Sequence, residues 1–183
     1  MAAREQTPRK YTTINGLPTV EADFTGLHAA ILSSGRGLTN PDDPYALVTG
    51  VHGNKTLRGH TKNTFIALLN AKSMRHNEPS DFHCAKHGMT AEKFRQTVID
   101  AYSMLPGALD SEAGWVLQRK DSEMAERIML HFVEQGVPAL PIHDRFIIQL
   151  DRIVELQDVT KATFKEQFGQ FPTVAIKTLW KQI

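Results

Sequence analysis

Apolar residues recur along the chain with a helical period in several segments. The clearest pattern predicts one helix with an apolar face formed by Ala125, Ile128, Met129, Phe132 and Val133. Asp121 or Ser122 is expected to cap the start of this helix, because short polar side chains bond the free N–H groups of the first turn. Gly136 and Pro138 are expected to end it.

Weaker patterns of the same kind predict further helices. They are expected at 26–32, at 44–49 with Asp42 or Asp43 as the cap, at 56–71, from Thr90 as the cap to about residue 104, and from Thr160 as the cap to residue 168. Residues 171–180 are too mixed to assign.

Two short apolar runs predict strands. One covers residues 20–24, and the other, at 140–150, is expected to form two strands joined at His143 and Asp144. Together the patterns predict an α+β fold, in which a small antiparallel sheet carries helices on one face.

Composition narrows the class of protein. The chain has 183 residues, of which 41% are hydrophobic and 22% charged, as in a globular domain with its own core. The formal charge of +1 gives no global basic field. Cys84 is the single cysteine, which fits a reducing compartment. No signal peptide or membrane-spanning run is seen, so we expect a cytoplasmic protein without a membrane partner.

Each strand segment carries one aspartate, Asp23 or Asp144, at its edge. Aspartate is depleted in strands and is almost never fully buried without a partner. If the two aspartates converge, their oxygens suit magnesium, and a two-metal site would stabilise the attacking and leaving oxygens of phosphoryl transfer. The alternatives are that Asp23 caps the helix near Gly26 and that Asp144 is a turn residue.

Arg58 and Lys62 lie one turn apart on a predicted helix. Like charges at this spacing cost roughly 0.2–0.5 kcal/mol, which a nearby anion such as a triphosphate would offset. We therefore expect both side chains to face the same cleft as the aspartates and to lack acidic partners when no ligand is bound. The alternative is an ordinary solvated basic face.

His83, Cys84 and His87 form a short cluster in the sequence. The Cys-x-x-His spacing supplies two zinc ligands, but no second pair follows at the spacing of a zinc finger. A polar loop with incidental histidines is the favoured interpretation, and the role of these residues is left open.

Three of these segments together resemble the family A DNA polymerase and phage-type single-subunit RNA polymerase superfamily. Motif A is similar to Asp23-Phe24-Thr25-Gly26-Leu27-His28, and motif C to the His143-Asp144 hairpin that follows a long helix. Arg58, Lys62 and Ile66 match the spacing of motif B. The order of the three motifs is that of the superfamily, and the resemblance covers about residues 17–150.

The chain departs from the pattern of the superfamily at three places. Asn70-Ala71 stands where motif B has Tyr-Gly, and His28 stands where the DNA polymerases have Glu. Arg145 follows the motif C aspartate, where Glu or Ser is usual. The resemblance implies a single palm-like domain over 1–183 with a reduced fingers element at about 50–105 and no room for a thumb.

The resemblance also implies a function, namely template-directed nucleotidyl transfer with two magnesium ions, in a phage or plasmid replication system. Asp23 and Asp144 would hold the metal, Lys62 and Arg58 would bind the triphosphate, and His143 would position Asp144 or the primer end. The implied partners are a primer-template nucleic acid, a nucleotide triphosphate and a replication protein. One alternative is a catalytically weak, polymerase-derived protein that binds nucleic acid or acts as a scaffold. The other is a metal-dependent nuclease, which needs the aspartates only.

Overall fold

The computed structural model describes residues 12–48, 51, 53–71, 87–109 and 111–178. These residues form five strands: β1 (Thr13–Ile14), β2 (Leu17–Phe24), β3 (Leu140–Ile142), β4 (Arg145–Gln149) and β5 (Val174–Thr178). They also form five helices: α1 (Leu27–Ser34), α2 (Lys55–Asn70), α3 (Ala91–Ala101), α4 (Ala113–Val133) and α5 (Ile153–Phe168). Short 3-10 turns cover Pro44–Ala46 and Leu150–Arg152. The predicted α+β class is confirmed.

The chain divides into two compact units. The sheet unit comprises Met1–Leu27 and Asp121–Ile183, and the helical unit comprises His28–Lys120. The assignment of residues 50–105 as a fingers element within one palm-like domain stays a prediction. No described helix combines the length and the apolar character that crossing a membrane requires.

Strand β2 is the centre of the sheet unit. It pairs antiparallel with β1, β4 and β5, and β3 pairs with the other edge of β4. In this register Asp23 lies opposite both Arg145 and Ala175, and Glu21 lies opposite Lys177. Because directly opposed residues share a face of the sheet, these charged side chains are brought to one surface.

The alternate residues of β2 form the core of the sheet unit. Val20, Ala22 and Phe24 are buried, and the ring of Phe24 lies 6.5 Å from that of Phe164 on α5. Helix α5 therefore covers the apolar face of the sheet, while the acidic residues of β2 lie on the opposite face. Burial of each large apolar side chain contributes roughly 1.5–3 kcal/mol to the stability of this layer.

Aromatic residues hold the helical unit together. The rings of Phe65 and Tyr102 lie 4.3 Å apart, and the Tyr102 hydroxyl donates a hydrogen bond of 2.6 Å to the Pro44 carbonyl. Helix α2 begins where the Asn54 side chain accepts a hydrogen bond from the Leu57 N–H at 3.0 Å. The tyrosine thus anchors the 3-10 turn at Pro44–Ala46 against α2 and the end of α3.

Several sequence predictions are confirmed at the level of single elements. The strand at 20–24 lies within β2, and the pair joined at residues 143–144 is the β3–β4 hairpin. Thr90 caps α3, its hydroxyl accepting from the Lys93 N–H at 3.1 Å. Asp43 caps the turn at Pro44–Ala46, where its carboxylate accepts from the Tyr45 N–H at 3.1 Å.

Two predicted caps are wrong. Helix α4 begins at Ala113, so Asp121 lies in its interior, and α5 begins at Ile153, so Thr160 is 1% exposed inside that helix. Asp121 lies at helical spacing from the buried Met124 and therefore on the buried face of α4. The segment at 171–180 left unassigned by the sequence contains β5, which completes the sheet next to Asp23.

Candidate active site at the end of strand β2

The two predicted aspartates come together in the sheet unit. Asp23 lies near the end of β2, and Asp144 lies in the turn before β4. The Asp144 carbonyl accepts a 3.0 Å hydrogen bond from the Phe24 N–H. Their carboxylate oxygens lie 3.4 Å and 3.8 Å from the same atom, Nε of Arg145. The antiparallel register of β2 and β4 is what joins residues so distant in sequence.

His143 is the first residue of the tight turn between β3 and β4. Its φ angle is 54°, in the left-handed region, which two-residue hairpin turns require. Histidine adopts this region more readily than most residues other than glycine. The hairpin therefore accounts for the backbone of His143, while its predicted role in positioning Asp144 or a primer end stays a prediction.

Two cations and one further carboxylate share the surface around Asp23. Glu21, whose side chain is only 5% exposed, has its Oε1 atom 3.1 Å from Nη1 of Arg145 and 3.8 Å from Nζ of Lys177. Lys177 also forms an ion pair with Asp23. Glu21 lies two residues before Asp23, and this spacing, which places both on one face of a strand, was available in the sequence. The sequence could not place Lys177 at this site, because residues 171–180 show no clear pattern.

Asp121 adds a carboxylate close to the hairpin turn. Burial in α4, and to a lesser extent the charge of Asp144, raise its pKa to about 6, and His143 opposes this rise. The sequence pointed to Asp121 only as a helix cap. Its place on the buried face of α4 instead puts it within electrostatic reach of the predicted metal ligand.

The site offers some of the ligands that a magnesium ion needs. Carboxylate oxygens are the right donors, and Mg²⁺ is commonly held by one or two carboxylates together with water and substrate phosphates. Among the described residues, no group of three or more His, Cys, Asp or Glu is arranged to hold a metal. The oxygens of Asp23 and Asp144 already contact Arg145. The chemistry of these two carboxylates fits a magnesium ion, but their oxygens are engaged by the guanidinium in this structure.

Arg58 has an acidic partner, so the expectation that it lacks one is wrong. Its Nε and Nη2 atoms donate to the two oxygens of Asp43 at 2.6 Å and 2.9 Å. Burial favours a raised pKa for Asp43, but the hydrogen bonds from Arg58 and the Tyr45 N–H outweigh it and lower the pKa. The cap of the Pro44–Ala46 turn thus also neutralises Arg58, a contact between segments that helical spacing could not reveal.

Lys62 is in a different situation. Its Nζ atom lies 5.9 Å from the ring centroid of Tyr45, a cation–π contact. Over the described ranges, no carboxylate lies within ion-pair distance of it. Lys62 belongs to the helical unit and the aspartates to the sheet unit, so the prediction that they face one cleft stays a prediction.

The cysteine–histidine cluster is only partly described. His83 and Cys84 lie outside the described residues. His87 lies within them, and its ring packs edge to face against that of His60 with 5.3 Å between centroids. The described residues do not form a zinc site, and the role of the cluster stays open.

Comparison with known proteins adds one finding. No protein-family model matches the sequence, and no curated protein matches it. Among solved structures, the chain is similar to the POL domain of Pol1 from M. smegmatis, solved in complex with DNA primer-template and dNTP. The TM-score is 0.53 at 9% sequence identity, over 91% of this chain and 40% of that one.

This likeness defines the fold of the chain as polymerase-like. At such low identity it shows the fold alone, and the chain spans about 40% of the length of the matched chain. The small antiparallel sheet with helices packed on it is consistent with a polymerase palm, which is the architecture that the three sequence motifs predicted.

Proposed function

We propose that this chain catalyses template-directed nucleotidyl transfer. The observation that carries the proposal is the convergence of Asp23 and Asp144 on a single atom of Arg145, at the end of the central strand of a polymerase-like fold. Aspartate pairs at strand ends are suited to binding the hard cations that assist phosphoryl transfer.

The residues of the chain divide the work as follows. Asp23 and Asp144 would hold magnesium, which supplies charge stabilisation for the attacking and leaving oxygens. Lys62, which lacks a carboxylate partner among the described residues, would bind the triphosphate. Arg58, held by Asp43, would act mainly by fixing the position of helix α2 beside Tyr45. His143 would position Asp144 through the turn that both residues share.

The proposed substrates are a primer-template nucleic acid and a nucleotide triphosphate. Support comes from the matched structure, which was solved with DNA primer-template and dNTP. A replication protein is a further proposed partner. Proteins hold nucleic acids through many phosphate contacts, and a chain with a formal charge of only +1 would need a partner to supply more of them.

The test is magnesium-dependent incorporation of labelled nucleotide on primed DNA and primed RNA templates. Asp144→Asn should abolish incorporation, because the loss of a ligand charge weakens a hard-cation site. Asp158→Asn, which changes an exposed aspartate on α5 of the same unit, is the matched control and should retain full incorporation. Equal incorporation by both variants would refute the proposal. Release of nucleotides without triphosphate would indicate a nuclease instead.

A second function is favoured by one observation, the guanidinium of Arg145 between the two aspartates. If Arg145 stays in place, the chain is a polymerase-derived protein that binds nucleic acid or serves as a scaffold with weak catalysis. In that case Asp144→Asn should leave nucleic-acid affinity unchanged, and neither wild type nor variant should incorporate nucleotide at any magnesium concentration.

A further inference from the structure

Arg145 lies at the centre of three carboxylates. Its Nη1 atom is 3.1 Å from Glu21 Oε1, and its Nε atom is 3.4 Å from Asp23 Oδ2 and 3.8 Å from Asp144 Oδ1. Lys177 adds a second cation through its ion pairs with Glu21 and Asp23. The charges of the predicted metal ligands are therefore already partly offset by side chains of the protein itself.

A guanidinium group and a metal ion compete directly for these oxygens. Arginine stays protonated throughout the accessible pH range, so a rise in pH does not release the aspartates. A competing anion can release them, because arginine forms two parallel hydrogen bonds with phosphate, just as it does with carboxylate. The Arg145 side chain is 32% exposed, so phosphate in solution has access to it.

The contacts of Arg145 with the two predicted metal ligands are longer than its contact with Glu21. The Nε atom is farther from Asp23 and Asp144 than Nη1 is from Glu21, which is the most buried of the three carboxylates. A small rotation of the guanidinium about its bond to Glu21 would release Asp23 and Asp144 from Arg145 while the buried acid keeps its partner. Lys177 would remain beside Glu21 and Asp23 in either state.

From these contacts we infer that Arg145 is an internal counter-ion that closes the Asp23–Asp144 site to free metal and swings to the phosphates of an arriving nucleotide. Metal and triphosphate then bind cooperatively, because the triphosphate removes the cation with which the metal competes. This inference rests on the proposed function and concerns the regulation of the same site.

The experiment measures two affinities separately in wild type and in Arg145→Ser. Binding of Mn²⁺ alone is followed by electron paramagnetic resonance, and binding of a deoxynucleoside triphosphate is followed by calorimetry in excess EDTA. Arg145→Ser should bind Mn²⁺ about tenfold more tightly and the metal-free triphosphate about tenfold more weakly, which is within the usual range of coupling between sites. Unchanged Mn²⁺ affinity in a folded variant would overturn the inference.

Two further variants guard this result. Arg127→Ser removes an exposed arginine that pairs with Glu166 in the same unit, and it should alter neither affinity. Arg145→Lys keeps a charge beside Glu21 but lacks the planar fork of donors, so its Mn²⁺ affinity should lie between those of wild type and Arg145→Ser. Because it keeps the charge, it can be measured even if Arg145→Ser folds poorly. If Arg145→Lys binds Mn²⁺ as wild type does, the inference fails.

The outcome separates the inference from the proposed function. Opposite changes in the two affinities without nucleotide incorporation by any variant would support the counter-ion and refute the polymerase activity. Incorporation with Mn²⁺ affinity independent of residue 145 would support the activity and refute the counter-ion.

Discussion

Glu21 and Arg145 are joined by an ion pair across the β2–β4 interface, with 3.1 Å between Oε1 and Nη1. They are diagonal neighbours, since the register places Glu21 opposite Ile147 and Arg145 opposite Asp23. Glu21 has almost no access to water, whereas Arg145 reaches the surface. The arginine therefore offsets the charge of the buried Glu21 in addition to contacting the aspartates.

Removal of Arg145 should destabilise the fold through Glu21. Arg145→Ser removes the 3.1 Å ion pair from this buried carboxylate but keeps Lys177 at 3.8 Å. Breaking a buried pair commonly costs about 3–5 kcal/mol, and about 2–4 kcal/mol is expected here because Lys177 still offsets part of the charge. Urea denaturation measures the change. The double variant Glu21→Gln/Arg145→Ser should recover part of the loss, and strictly additive effects would show that the two residues are not coupled.

Asp121 should make the stability of the protein depend on pH. Its pKa is raised to about 6, chiefly by burial, from an ordinary value of 3.8, so the fold favours its protonated form. The favourable contribution is complete below about pH 4 and is lost as the pH rises through about 6. Asp121→Asn should therefore stabilise the protein at pH 7.5 by about 1–2 kcal/mol, after allowance for partial exposure, and should have little effect at pH 4.

Thermal unfolding at several pH values checks this prediction. The control is Asp158→Asn, whose aspartate is exposed on α5 and should change stability little at either pH. A stability difference between Asp121→Asn and wild type that does not vary from pH 4 to pH 7.5 would contradict the assignment.

Arg58 should matter for the stability of the helical unit. Arg58→Met removes both hydrogen bonds to Asp43, a partly exposed bidentate pair, at an expected cost of about 1–2 kcal/mol at pH 7. The pKa of Asp43 is lowered from 3.8, so this contribution is present above about pH 4 and is lost as the pH falls through the lowered value. Chemical denaturation at pH 7 and pH 3 measures it, and an equal difference at both values would exclude the ion pair as its source.

Lys62 should matter for ligand binding and not for stability. Lys62→Ala should weaken triphosphate binding by about tenfold, as expected when a charged hydrogen bond is lost, with less than about 0.5 kcal/mol of lost stability. Calorimetric titration with a nucleoside triphosphate gives the affinity. Lys55→Ala, at an exposed position of the same helix, is the matched control. An affinity equal to that of wild type would assign Lys62 to an ordinary solvated face.

The sequence was most informative where chemistry and geometry coincide. Asp23 and Asp144 interrupt apolar strands. The hairpin at residues 143–144 forms as expected, because the two halves of the apolar run around it pair with each other as antiparallel strands. The prediction of helix caps failed where a side chain suits both a helix start and a helix interior. Asp121 is a good cap and also a tolerable interior residue beside a polar turn, and local sequence cannot decide between these.

The cations around the site could not be predicted for a different reason. Arg58 meets Asp43, and Lys177 meets Asp23, only through contacts between segments distant in the chain. Arg145 was noticed only as a departure from the usual residue after the motif C aspartate. Its contact with Glu21 depends on the diagonal geometry of an antiparallel pair, which the sequence alone leaves undefined.

Strand β5 has a consequence for the order in which the protein is made. It supplies residues 174–178 to β2, whose paired residues 20–24 are synthesised long before them. During synthesis this edge of β2 stays unpaired until nearly all of the described chain has emerged, and exposed edges are templates for pairing with other chains. Contacts so distant in sequence also slow folding. The sheet, and with it the full set of charges around Asp23, is therefore completed only after residues 174–178 have emerged. Nascent chains that stop before residue 174 should be prone to aggregation.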